Sequence, residues 1–185
     1  FWVLQTTNAP ASVCLNGDEL ILENRYIRRV IERRCGTTIS LTDGDGTEIL
    51  AGTIREGEIS VDGTVYPIEG PCEIRIREGN LTEKKFDYTP KSYNTHPFPY
   101  PAPGKVAELI YLRGTLEIKL VYEIFDDMPA MRKSLYVRNN GDRTVTIDTA
   151  ETEALSLTDA GVLRYYLESD YAGDNGTGFH NGTSL

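Results

Sequence analysis

In LEIKLVYEI, residues 116–124, every second position is apolar. Leu116, Ile118, Leu120, Tyr122 and Ile124 share one side, and Glu117, Lys119 and Glu123 point the other way. A helix would scatter these residues around its circumference, whereas a strand sorts them onto two faces. The pattern returns in CEIRIRE, where Cys72, Ile74 and Ile76 oppose Glu73, Arg75 and Arg77. In MRKSLYVRN, Met131, Leu135 and Val137 share a side with Lys133 among them. In RTVTIDTA, Val145 and Ile147 oppose Thr144, Thr146 and Asp148. Such segments are half-buried antiparallel strands, one wall on a core and the other wetter.

Turn signals punctuate the strands: Asn16-Gly17, the DGDG of Asp43 to Gly46, Asp62-Gly63, Gly79-Asn80 and Asn140-Gly141. Asn and Gly tolerate the positive φ that tight hairpins need. RYIRRVIERR is ambiguous. As a strand it sets Ile27, Arg29, Ile31 and Arg33 on one side and Tyr26 and Val30 on the other; its β-branched residues favour that reading. Roughly a dozen strands at this spacing predict an all-β antiparallel sandwich with few or no helices. The sandwich is expected over residues 1–168. Residues 169–185, rich in Gly, Asn and Asp, are expected to be a flexible tail or a shortened linker.

The chain has 185 residues, enough for one domain with a substantial core or at most two small ones. Its formal net charge of −9 would repel a phosphate backbone or an anionic membrane, so nucleic acid is not an expected partner. A neutral or cationic partner fits better, and a neutral sugar is one such partner. No apolar run is long enough for a helical membrane span, and the opening residues do not read as a signal peptide. With no initiator Met, the sequence reads as a processed or excised segment, and a periplasmic or extracellular location is favoured over a cytoplasmic one. Cys14, Cys35 and Cys72 are odd in number and widely spaced, so they read as three buried free thiols. One pair can bridge if the protein is exported.

VYEIFDDMPAMRKSLYVRNNGDRTV, residues 121–145, turns one strand into the next through Asp126, Asp127 and Pro129. Pro129 has no amide hydrogen and biases Met128 away from the helical region, and the aspartates favour turn geometry. A well-made hairpin connection accounts for each of these residues. The run Tyr122-Glu123-Ile124-Phe125-Asp126, then Pro129, Lys133, Val137, Asn139 and Gly141, also resembles the N-terminal β-sandwich of large glycoside hydrolases of the α-galactosidase (melibiase) type. DELILENRYIRRVIERRCGTTISLTDGDGTEIL resembles the opening of that domain, and the likeness spans residues 18–150. It implies a supersandwich related to galactose mutarotases, preceding a catalytic (β/α)₈ barrel. No alternating strand–helix units occur here, so the two carboxylates of a retaining glycosidase are expected outside these residues.

The resemblance therefore implies a non-catalytic domain that supports or caps a C-terminal catalytic domain of the same parent chain and can touch carbohydrate, a galactoside or related glycan. A free-standing carbohydrate-binding module, a hexose mutarotase-like epimerase and an adhesion domain are the alternatives, and a homo-oligomer stays open. The candidate carbohydrate-binding residues are Tyr93, His96, Phe98 and Tyr100, interleaved with Pro97, Pro99 and Pro101 in YTPKSYNTHPFPYPAPG. Aromatic rings stack on the C–H faces of sugars, and prolines stiffen the loop that presents them. The same rings can instead pack on the sandwich. His96 and His180 are the only histidines, and neither lies in a mutarotase-like context. Asp43, Asp45 and Glu48 fall short of a calcium loop, and Asp170, Asp174 and Asn175 offer equally weak ligands. No metal or cofactor is expected, and no catalytic residue is assigned. Asn80, Asn175 and Asn181 head glycosylation triplets.

Overall fold

In the computed structural model, residues 10–78 and 103–159 are described. They form an all-β, antiparallel sandwich of twelve strands. The first sheet runs β1 (Ser12–Asn16), β2 (Glu19–Glu23), β3 (Ile27–Glu32), β4 (Thr37–Asp43) and β5 (Ile54–Arg55) in chain order. The second sheet is split in sequence: β6 (Glu58–Val61) lies between β7 (Thr64–Pro67) and β12 (Ile147–Glu151). Between them in sequence come β8 (Glu73–Glu78), β9 (Gly104–Arg113), β10 (Leu116–Phe125) and β11 (Met131–Asn139), ordered β11-β10-β9-β8. Among the described residues no helix is long and apolar enough to cross a membrane.

The three sheets share one core. Leu20, Leu22 and Ile31 come from the first sheet, Leu109, Tyr111, Ile118, Leu120 and Tyr122 from the β8–β11 sheet, and Ile59 and Val61 from the β6-centred sheet. The apolar side of LEIKLVYEI is the buried side, with Leu116 to Ile124 all in the interior. A smaller cluster of Leu41, Ile49, Leu50 and Ile54 takes in Ile27 and Leu157. RYIRRVIERR is a strand over Ile27–Glu32, and a bulge between Val30 and Ile31 shifts its pairing with β4. Asp62 (φ 49°) and Gly63 (φ 73°) form the tight β6–β7 turn that their types predict.

The corner at residues 126–130 is a hairpin connection that also clamps the sheets together. Asn24, in the β2–β3 turn, donates its Nδ2 to the carbonyls of Phe125 (2.9 Å) and Met128 (2.7 Å). Its Oδ1 accepts from the amides of Tyr26 (2.9 Å) and Ile27 (3.2 Å). Asp126 accepts from the amide of Ala11 at 2.7 Å. A corner predicted from local turn preference thus receives much of its hydrogen bonding from residues about a hundred positions away.

Three expectations need correction. The thiols are not buried: Cys14 and Cys35 are exposed, Cys72 is half-buried, and all three are free. Cys14 lies on an edge strand and Cys35 in the β3–β4 turn, where little apolar surface is available to cover them. Residues 144–146 precede the strand, and Ile147 is 49% exposed, because all five residues of edge strand β12 are exposed and neither of its faces is covered. The outward wall of β10 is drier than its charges imply, since Glu123 is only 1% exposed and pairs with Arg132.

Candidate functional site

Alternation places two cations on apolar faces: Arg29 with Ile31 on β3, and Lys133 with Met131 and Leu135 on β11. A charge in such a place needs an anion brought to it, because desolvation of an unpaired ion is prohibitive. Glu56, between β5 and β6, supplies it with a side chain that is 0% exposed. Its Oε2 lies 3.1 Å from Arg29 Nη2 and 2.9 Å from Lys133 Nζ, and accepts the Tyr122 hydroxyl. Its Oε1 accepts the Thr38 hydroxyl at 2.5 Å, and Thr38 in turn accepts from Arg29 Nε at 2.8 Å. Lys133 also donates to the Glu56 carbonyl at 2.7 Å.

Glu153, two residues past β12, completes the group. Its carboxylate receives both terminal nitrogens of Arg29, Nη1 at 2.9 Å and Nη2 at 3.1 Å, with Lys133 Nζ at 3.4 Å. This is the two-pronged geometry in which guanidinium and carboxylate match best. Both cations also lie over the Tyr122 ring, 4.9 Å and 5.2 Å from its centroid. With ordinary charges the two cations and two carboxylates sum to zero. Among the described residues no buried side-chain polar atom lacks a hydrogen-bond partner.

Backbone geometry delivers the two carboxylates. The Glu56 amide donates to Ile68 O at 3.0 Å, and the Ile68 amide donates to Gly57 O at 2.9 Å. Gly57 has φ +137°, and a Cβ there would collide with the Glu151 carbonyl oxygen. Only glycine lets β12 pass this close and carry Glu153 over the cations.

Electrostatics follow from burial and pairing. Burial pulls the Lys133 ammonium below its ordinary value, Glu56 opposes that pull, and neighbouring Arg29 adds to it. Burial would also lower Arg29, but Glu56 and Glu153 more than offset it, so its value rises. Burial would raise Glu153, yet the Arg29 hydrogen bond and the charges of Arg29 and Lys133 hold it below the usual carboxylate range. These pairings tie β3, β11, the β5–β6 connection and the segment after β12 to one another.

Other polar groups are likewise tied into the fold. Arg77 and Lys119 meet the buried Glu108 on the outward wall of the β8–β11 sheet. The Tyr111 hydroxyl donates to Gly36 O at 3.3 Å; burial, then Cys72 beside it, pushes that phenol far above its ordinary value. Asp43 caps its own turn by accepting from Asp45 (3.0 Å) and Thr47 (2.9 Å). Glu48 accepts from Ser40 and from the amides of Leu41, Ile49 and Leu50. Among the described residues no group of three or more His, Cys, Asp or Glu side chains is arranged to hold a metal ion.

The sugar-binding candidates Tyr93, His96, Phe98 and Tyr100 lie outside the described residues, as do His180, the 169–185 tail and the three glycosylation triplets. What sequence reasoning missed is the convergence on Glu56. A signal existed in Arg29, between Ile27 and Ile31 on one strand side, and in Lys133, between Met131 and Leu135, but IREGEIS offers none that singles out Glu56. Comparison with protein-family models gave no match, and neither curated proteins nor solved structures gave one.

Proposed function

We propose that this chain is a non-catalytic β-sandwich domain of a glycoside hydrolase of the α-galactosidase type. In this reading it supports or caps a separate C-terminal catalytic barrel and touches the glycan through Tyr93, His96, Phe98 and Tyr100. The observation that supports a scaffolding role is the Arg29–Glu56–Lys133–Glu153 cluster. The four charged groups of that cluster are turned on one another, neutral in sum, and placed to hold sheets together. A rigid platform of this kind suits a domain whose work is to position something else. The hydrolase assignment itself rests on the resemblance of residues 18–150.

Two measurements test it. The purified 185-residue chain is expected to leave an aryl-galactoside uncleaved, and turnover by that chain would overturn the scaffolding role. Calorimetry against mono- and oligosaccharides is the second. Millimolar or tighter binding that Tyr100→Ala or Phe98→Ala abolishes would favour the free-standing binding module instead.

A further inference from the structure

We propose that Arg29 and Lys133 form a preorganised receptor for a small carboxylate, which Glu153 fills in cis. Three observations carry this. Exposure grades across the cluster: the side chains of Glu56, Arg29, Lys133 and Glu153 are 0%, 5%, 9% and 28% accessible. Glu153 is thus the member at the mouth. The receptor is also held without it. Arg29 is fixed by Thr38 and Glu56, Lys133 by the side chain and carbonyl of Glu56, and both by the Tyr122 ring. Finally, charge demands an occupant. Removing Glu153 leaves two cations on one carboxylate, a buried net charge of +1 that an outside anion would neutralise.

Glu153 is carried by a surface segment rather than a strand. Beyond β12, the next ties to the sandwich are Ser156 O accepting from Ala51 (2.8 Å), a bridge of Leu157 to Leu50, and Thr158 donating to Ile49 O (2.8 Å). Between Glu151 and Ser156 the Glu153 carboxylate is therefore an anchor of its own. The ligand class follows from geometry. Both terminal nitrogens of Arg29 meet the two oxygens of Glu153, so a planar monocarboxylate sets one acceptor opposite each nitrogen, whereas a single spherical halide must share itself between them.

The test is thermal unfolding of the full chain and of Glu153→Ala in sodium formate and sodium chloride at matched ionic strength. Glu153→Ala is expected to melt roughly 5–15 °C below the wild type in chloride. Formate is expected to raise its melting temperature saturably, with a half-point of about 1 mM or weaker for so small a ligand. The wild type, its receptor filled, should respond alike to both salts. Glu153→Ala/Lys133→Met, with one cation on one carboxylate, should lose the formate response. Equal action of the two salts on Glu153→Ala, or a formate response surviving in the double variant, overturns the proposal. If Glu153→Ala does not fold in chloride, refolding in formate becomes the readout. Recovery of folded protein there supports the receptor, and no recovery overturns it.

Discussion

Glu56→Gln is the sharpest test of how this sandwich is held together. Glutamine keeps the volume of Glu56, so no cavity term enters. It also keeps one carbonyl oxygen, which can still accept at the Oε2 position from Arg29, Lys133 and Tyr122. The amide nitrogen then faces Thr38, whose hydroxyl has a lone pair to accept with. What disappears is the charge. Arg29 and Lys133 remain, 5% and 9% accessible, with Glu153 as their sole carboxylate. Removing one partner of a buried ion pair costs about 3–5 kcal/mol, and the retained hydrogen bonds point to the lower end. At a urea slope of about 2 kcal/mol per molar, the midpoint followed by far-ultraviolet circular dichroism should fall by roughly 1.5 M. Lys133→Met alone should also be costly, because it leaves an excess carboxylate. The Glu56→Gln/Lys133→Met pair restores neutrality and should lose less than the sum of the single losses, by about 1–3 kcal/mol. A loss under about 1 kcal/mol for Glu56→Gln, or strict additivity in the cycle, refutes the view of Glu56 as the charge hub.

Acid sensitivity should follow Glu153. Its folded value lies below the ordinary 4.5, so it contributes stability above that pH and loses it as pH falls through the folded value. A urea midpoint measured from pH 7 down to pH 3 should therefore fall below about pH 4.5, and Glu153→Gln should flatten that limb; an unchanged slope would count against the pairing. Gly57→Ala should destabilise by at least about 2 kcal/mol in the same assay, since alanine is strained at φ +137° and its methyl meets the Glu151 carbonyl. A neutral result would mean that β12 moves away freely. Asn24→Ala removes two hydrogen bonds to the Phe125 and Met128 carbonyls of the corner and two within the β2–β3 turn, and should cost about 2–3 kcal/mol. Limited proteolysis should then cut faster near residues 125–130, and unchanged cleavage would show that the corner is held by other means.

The strand pattern was open to reading because its cause is local. Side chains alternate across any extended backbone, so Leu116 to Ile124 announced both the strand and its buried face, and Asp62-Gly63 announced a hairpin through residues that tolerate positive φ. The pattern weakened where that cause weakened. At Ile147 the edge strand is covered on neither face, so alternation has no core to sort against, and at Glu123 the pairing with Arg132 goes with a wall drier than composition marked it.

By itself, the order of residues determined that this chain is built of antiparallel ribbons, and it left two cations, Arg29 and Lys133, stranded on apolar faces. Which carboxylates answer them was decided only in three dimensions. Glu56 lies 27 residues from Arg29 and 77 from Lys133, and Glu153 lies 124 from Arg29. Nothing in their neighbours along the chain distinguishes them from the solvent-facing acids. The physical reason is that alternation acts between adjacent residues, whereas a buried charge can be matched only once the sheets have closed and excluded the water that would otherwise have solvated it.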